Sequence, residues 1–318
     1  MDAPARPTTD EPPAASPSFF EAVSLIGKDI KLAHSVFALP FALLAAFMVA
    51  PRSSGGSIDW GTMAGLLALV LVCMVAARTW AMVVNRMADR RIDARNPRTR
   101  GRVFAAGALP PVVGWVTLAV SAAAFLSGCA LFGVFFGNWW PALLGVPVLA
   151  WIAFYSFTKR FTWWCHVFLG GALAASPLAA AIAVGGIDAL AAAALWLLAG
   201  MVLLWVAGFD AIYALQDLDF DRQAGLRSIP ARFGWKKANA LSRLMHAASA
   251  TCLIGVLLSW PAFGVVFAIG VAGALALLAY EHVVLARRGA EGIPMAFFTI
   301  NGLVSVLLGL AGIVDVLV

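Results

Sequence analysis

Apolar residues run along this chain in long unbroken blocks, without the regular polar stripes of a soluble amphipathic fold. A helix that crosses a bilayer needs roughly 20 mostly apolar residues. Nine blocks qualify, at 32–51, 62–84, 111–133, 139–157, 163–185, 189–209, 238–258, 262–285 and 294–316. Turn residues separate them: Pro51 to Gly56, Pro110-Pro111, Gly137-Asn138, Gly185-Gly186 and Trp260-Pro261. The pattern predicts an all-α integral membrane protein with nine transmembrane helices in one bundle.

Composition agrees. Of 318 residues, 62% are hydrophobic and 12% charged, where a soluble domain carries about 25% charged residues. The net charge of +6 does not point to nucleic acid, because the basic residues fall in short loops between apolar blocks. Their distribution sets an orientation instead. The loops after spans 2, 4, 6 and 8 and the N-terminal region hold nearly every Lys and Arg, with seven arginines between Arg86 and Arg102 alone. The opposite side has Arg52. By the positive-inside rule the N-terminus is expected in the cytoplasm and the C-terminus outside, in the cell (inner) membrane. Residues 1–18, rich in Pro, Ala, Ser and Thr, read as a disordered cytoplasmic tail and 19–318 as the nine-span domain. Cys73, Cys129, Cys165 and Cys252 lie apart in apolar segments and read as packing residues.

The two long cytoplasmic loops also carry acids. Asp89-x-x-x-Asp93 recurs in spacing as Asp217-x-x-x-Asp221, four spans further along the chain, which suggests a parallel internal duplication. Continued as a helix, span 2 puts Asn85, Asp89 and Asp93 on one face at i, i+4 and i+8. Span 6 aligns Asp210, Tyr213, Asp217 and Asp221 likewise, and turns Asp219 away. Five carboxylates converging in a partly dry site repel one another, so their protons stay on or cations enter. Hard Mg²⁺ prefers oxygen ligands and commonly completes its shell with substrate phosphates. Two Mg²⁺ ions, one per motif, balance a diphosphate and stabilise it as a leaving group, with basic residues such as Lys159 finishing the neutralisation. Solvated acids balancing nearby arginines are the plainer alternative. Two matched copies on one membrane side argue against it.

Asn85-x-x-x-Asp89-x-x-x-Asp93 followed by Asp210-x-x-Tyr213-x-x-x-Asp217-x-x-x-Asp221 resembles the two signature motifs of the UbiA superfamily of intramembrane prenyltransferases, over about residues 28–316. His34 to Phe41, Asp93 to Thr99, and Tyr155-x-x-x-Lys159-Arg160 resemble the branch acting on 4-hydroxybenzoate, including relatives that act on 1,4-dihydroxy-6-naphthoate in menaquinone synthesis. The resemblance implies a bundle around a central cavity capped by cytoplasmic loops. It also implies transfer of a polyprenyl group from polyprenyl diphosphate to an aromatic acid, for ubiquinone or menaquinone biosynthesis. Asn85, Asp89 and Asp93 would hold one Mg²⁺–diphosphate unit, and Asp217 and Asp221 the other. Tyr213 and Lys159 would bind the diphosphate, as would Arg86, which stands where many members have Asp. Asp210 would take a proton, and the acceptor carboxylate would meet Arg78, Lys31 or Arg160, with Tyr155 lining the cavity. Arg78 lies inside span 2, where a charge must face a partner or a cavity, and is grouped with Asp210 as catalytic. His34, His166, His246 and His282 are assigned to packing or interfaces. No obligate protein partner is expected beyond the surrounding lipid. Other acceptors (homogentisate, heme, tetrapyrrole) and a membrane transporter are the alternatives. A transporter is disfavoured because the acids cluster at one surface and no Gly/Pro-broken pair of spans lies at the midplane.

Overall fold

A computed structural model of the chain describes residues 18–29 and 37–318. Among these the secondary structure is helical apart from one isolated bridge, Arg52 to Ile58. The helices are α1 (Phe19–Asp29), α2 (Leu39–Met48), α3 (Trp60–Asp93), α4 (Pro111–Phe136), α5 (Trp140–Thr158), α6 (Cys165–Gly185), α7 (Ala193–Tyr213), α8 (Leu218–Gln223), α9 (Ile229–Ser259), α10 (Val265–Arg288) and α11 (Asn301–Leu317). Among the described residues eight helical stretches are long and apolar enough to cross a membrane, and they match the second to ninth expected spans. The first expected span, 32–51, falls partly on residues outside the described set. Its described part holds the ten-residue apolar helix α2. His34 also lies outside the described residues, as do residues 1–17 of the tail expected over 1–18.

The 34 residues of α3 rise about 51 Å, well beyond the roughly 30 Å hydrocarbon core. Asp59 starts the helix by accepting hydrogen bonds from Thr62 N (3.3 Å) and Thr62 Oγ1 (2.7 Å). The surplus length carries Asn85, Asp89 and Asp93 out toward the basic loop. On the other side of the bundle, α7 is the most enclosed of the spans, with 67% of its most apolar window buried. Small residues let its neighbours approach. A Cβ at Gly170 would collide with the Leu203 carbonyl, and one at Gly208 with the His246 ring.

Three departures from straight helices shape the cytoplasmic end. After Tyr213 the chain tightens into a 3₁₀ turn over Ala214–Asp217 before α8. The continuous α-helical stripe expected from Asp210 to Asp221 is therefore broken at Asp217, because a 3₁₀ turn advances three residues per turn and not 3.6. Within α9, Gly234 takes φ 72° and kinks the helix, a conformation glycine adopts without a Cβ penalty. Before α11, Met295–Ile300 form a π-helical turn. Asn301 Nδ2 donates back to the Ala296 carbonyl (2.8 Å), satisfying an acceptor in that widened turn.

The cavity-facing core is apolar, but one polar seam runs through it. Trp205 Nε1 donates to Asn301 Oδ1 (2.6 Å), Asn301 Nδ2 donates to Glu281 Oε1 (3.3 Å), and the rings of His246 and His282 share a hydrogen bond of 3.0 Å. His246 and His282 thus belong to a polar network tying α7, α9, α10 and α11, beyond the packing role expected of them. The four cysteines are free thiols.

Candidate active site

At the cytoplasmic end of the bundle Asn85, Asp89, Asp93, Lys159, Asp217 and Asp221 all line one polar cavity of about 120 Å³. The two acid motifs, far apart in sequence, are brought together by α3 on one wall and the α7–α8 turn on the other. Asp89 and Asp93 are buried, at 1% and 4% exposure. Asp219 is exposed, as its helical position requires.

Each acid meets a donor. Lys159 Nζ and Arg160 Nη2 lie 2.6 and 2.7 Å from the two oxygens of Asp89, and Asn85 Nδ2 donates to the same carboxylate at 3.5 Å. Arg102 Nη1 donates to both oxygens of Asp93 (2.8 Å each). Arg98 forks onto Asp217, with Nε donating to Oδ1 (2.8 Å) and Nη2 paired to Oδ2. Its Nη1 donates to the Tyr213 hydroxyl (2.9 Å), and Asn96 Nδ2 adds a bond to Asp217 Oδ1 (3.0 Å). Burial opposes the charge on Arg98, but the hydrogen bonds and charge of Asp217, with Tyr213, outweigh it and raise the guanidinium pKa. Ser228, the N-cap of α9, donates to Asp221 Oδ2 (2.9 Å) and accepts from Ala231 N (3.2 Å).

Asn96, Arg98, Arg102 and Ser228 escape the sequence reading as site residues. The Asp93-Ala-Arg-Asn-Pro-Arg-Thr run contains two of them, but their targets sit on other elements. Arg98 and Arg102 count there only toward membrane orientation.

Arg86 has partners other than those the diphosphate expectation assigns. Its Nε donates to Asp29 Oδ2 (2.9 Å) and its Nη1 to Asn85 Oδ1 (2.9 Å). The side chains of Arg86 and Asp29 are 8% and 9% exposed. Val103 N also donates to Asp29 (3.3 Å). Arg86 therefore ties helix α1 and the 94–110 loop to the first motif and orients the Asn85 amide. Arg160, expected near the acceptor, lies at the first motif, where it also donates to the Ser156 and Ala88 carbonyls (2.8 and 2.9 Å). Lys31 lies outside the described residues.

Deeper in the bundle a second group assembles. Tyr155 has Arg86, Asp89 and Asp210 as electrostatic neighbours, and Arg78 has Tyr155 and Arg86. These residues come from α3, α5 and α7. Asp210 pairs with His166, whose Nδ1 lies 2.7 Å from Asp210 Oδ2. His166 is buried, so it packs as expected, but it also joins the site. An aromatic wall continues inward from the Tyr213 ring through Phe297 (centroids 4.1 Å apart), Phe209 and Trp205. On the other side, α3, α4, α5 and α6 enclose an apolar cavity of about 240 Å³, with Met74, Phe125, Cys129 and Ile152 among its lining.

The donor set discriminates between metals. Among the described residues no three His, Cys, Asp or Glu side chains converge closely enough to hold an ion unaided. Zinc sites built on three or four protein ligands do not fit. Carboxylate and amide oxygens, few per ion, fit Mg²⁺, which leaves shell positions for phosphate oxygens.

Comparison with known proteins identifies a family and a shared fold. The model of the UbiA prenyltransferase family matches residues 38–303. A 4-hydroxybenzoate octaprenyltransferase of Methylococcus capsulatus is 31% identical over 225 residues, 70% of this chain and 73% of that one. One from Pseudoalteromonas atlantica is 30% identical over 74% of this chain and 79% of its own. The apo structure of a UbiA homolog from Aeropyrum pernix K1 superposes with TM-score 0.76 at 31% identity, covering 89% of this chain and 98% of that one. A UbiA homolog from Archaeoglobus fulgidus bound to GPP and Mg²⁺ shares the fold, with TM-score 0.67 at 18% identity over 92% of this chain and 100% of that one.

Proposed function

The chain belongs to the UbiA prenyltransferase family, and on that footing we propose that it transfers a polyprenyl group from polyprenyl diphosphate to an aromatic acid, 4-hydroxybenzoate or 1,4-dihydroxy-6-naphthoate, in quinone biosynthesis. The observation that carries this reading is the convergence of both acid motifs with Lys159, Arg98 and Arg102 around one polar cavity. The named activity of the relatives supports it.

In this reading Asn85, Asp89 and Asp93 hold one Mg²⁺ and Asp217 with Asp221 a second. When bound, the ions draw negative charge off the leaving diphosphate and lower the barrier to its departure. Lys159, Arg98 and Arg102 shift from the acids to phosphate oxygens, keeping the site near charge balance, and Tyr213, released from Arg98, donates its hydroxyl proton to the diphosphate. The arginine forks suit phosphate because they donate in pairs. The apolar cavity among α3 to α6 supplies surface for the isoprenoid tail. Arg78 offers the acceptor carboxylate a cation beside Tyr155, and Arg86 holds Asn85 in register. The membrane is the cell (inner) membrane, crossed nine times with α2 counted as part of the first span, and the site faces the cytoplasm.

The test is an assay in detergent with labelled polyprenyl diphosphate, each of the two aromatic acids, and Mg²⁺. Prenylated acid is expected, with loss upon chelation. Asp89→Ala and Asp217→Ala are each expected to lower the rate by at least about 100-fold, the scale for removing one preorganised charge-stabilising group. Full activity in both variants would refute the site assignment.

A further inference from the structure

Prenylation of an aromatic ring releases one proton, and the paired acid motifs are poor candidates to receive it. In the reading above Asp89, Asp93, Asp217 and Asp221 are engaged by metal. Asp210 differs from them in place and in partner. It lies on α7, seven residues before Asp217 and on the far side of the 3₁₀ turn, about 12 Å deeper at 1.5 Å per α-helical and 2.0 Å per 3₁₀ residue. It does not line the polar cavity. Tyr155 stands in that interval, with Asp210 and Asp89 both among its electrostatic neighbours.

The partner of Asp210 is held from two sides. Ile229 N donates to His166 Nε2 at 3.3 Å, so Nε2 presents its lone pair. The imidazole proton therefore sits on Nδ1, which donates to Asp210 Oδ2 at 2.7 Å. The His166 side chain is 3% exposed and that of Asp210 22%. A buried imidazole thus holds one oxygen, Oδ2, of a carboxylate that is itself partly exposed. This is the arrangement of a base oriented by a second group. The preceding residue, Ser228, holds Asp221. Two consecutive residues at the start of α9 therefore register the acid of the second motif against the His166–Asp210 pair.

We propose that His166 is the positioning residue of Asp210, the carboxylate that the family resemblance implies takes the proton displaced from the aromatic acceptor. The inference rests on the prenyltransfer reading. The C–O bond of the prenyl diphosphate breaks and its electron pair leaves with the diphosphate. A ring π pair forms the new C–C bond to the allylic carbon. The C–H bond at that ring carbon then breaks, its electrons restore the aromatic ring, and its proton passes to Asp210 Oδ1. The Nδ1–H bond of His166 keeps the carboxylate aimed while it waits. Departure of the diphosphate does not involve this pair.

That separation defines the experiment. Full-length wild type, His166→Asn, His166→Phe and Asp210→Asn are assayed in detergent with Mg²⁺, labelled prenyl diphosphate and whichever aromatic acid the wild type prenylates. Prenylated acid and prenyl alcohol are quantified separately, and thermal unfolding is followed for each variant. Asn places an amide donor near the position of Nδ1, whereas Phe has none. His166→Phe and Asp210→Asn are expected to lose prenylated acid by about 100-fold, the range of general-base contributions. Their KM for prenyl diphosphate stays within about twofold, and the ring adduct that keeps its proton reverts by breaking the new C–C bond, so prenyl alcohol from water capture of the regenerated allylic cation replaces the lost product. His166→Asn recovers to within about tenfold of wild type. If folded His166→Phe prenylates at the wild-type rate, or if folded His166→Asn fails as fully as Phe, the proposal is overturned. If both products fall together with unchanged unfolding temperature, the pair acts on ionisation, which also overturns it. Failure of the wild type to form prenylated acid or alcohol would instead strike the prenyltransfer reading itself.

Discussion

Arg86 is the residue at which sequence and structure speak most differently. It stands beside Asn85 in a motif whose other members line the polar cavity, yet its guanidinium is turned to Asp29 and the Asn85 amide. Both partners of the ion pair are almost fully enclosed, so removing one leaves the other charge buried. Arg86→Ala is expected to lower stability by about 3 kcal/mol, measured as thermal unfolding in detergent. The double variant Arg86→Met with Asp29→Asn should regain most of that loss, because it leaves no unpaired charge. Recovery of stability without recovery of activity would assign Arg86 a second duty through Asn85. The periodicity that revealed Asn85, Asp89 and Asp93 could not reveal Asp29, since α1 and α3 meet only in the folded chain. The same holds for Arg98 on Asp217 and for His166 on Asp210. Periodicity reports which residues share a face, and says nothing of what that face meets.

At the scale of elements, eight of the expected spans were legible because bilayer thickness imposes their length. Their internal breaks were not. The 3₁₀ turn at Ala214–Asp217 and the π turn at Met295–Ile300 have ordinary helix-forming composition, and tertiary contacts decide them. Close packing of α6, α7 and α9 depends on glycines whose missing Cβ atoms have different neighbours. At Gly170 the obstacle is the Leu203 backbone carbonyl, which cannot turn aside. At Gly208 it is the His246 ring, a side chain. Gly170→Ala is expected to destabilise by about 3 kcal/mol and Gly208→Ala by about 1 kcal/mol, within the range for overpacked cores. Detergent unfolding of the two variants would show the order, and the reverse order would contradict this account of the interface.

For the whole molecule, charge asymmetry and span parity make a joint prediction. Nine crossings with basic loops in the cytoplasm, as proposed, would put the C-terminus outside. A periplasm-active reporter fused after Val318 should be active, and one fused after Gly289, in the loop following α10, should be inactive. Activity at both positions or at neither would exclude the nine-span orientation. The site also predicts a linkage. Asp89, Asp93 and Asp217 already face Lys159, Arg160, Arg102 and Arg98, so Mg²⁺ alone must displace those cations without giving them a new partner. Mg²⁺ with inorganic diphosphate supplies one. Each ligand alone is expected to raise the unfolding temperature little, and the pair together substantially, since ligands stabilise in proportion to their affinity for the folded state. Equal shifts from Mg²⁺ alone and from the pair would contradict this.

The amino-acid sequence by itself determined the membrane class, eight span positions and the two acid stripes, because each follows from a local regularity: apolar block length, or spacing along one helix. Tertiary structure decided what the stripes face. Asp29 meets Arg86, His166 meets Asp210 and Arg98 meets Asp217 across separate helices or loops, and such pairings follow from how helices pack, which no local period encodes. It decided also that Asp217 sits on a tightened turn, and that Glu281, His246, His282 and Asn301 meet inside an otherwise apolar bundle. Burying such groups is costly unless partners arrive from other helices, and only the folded chain brings them.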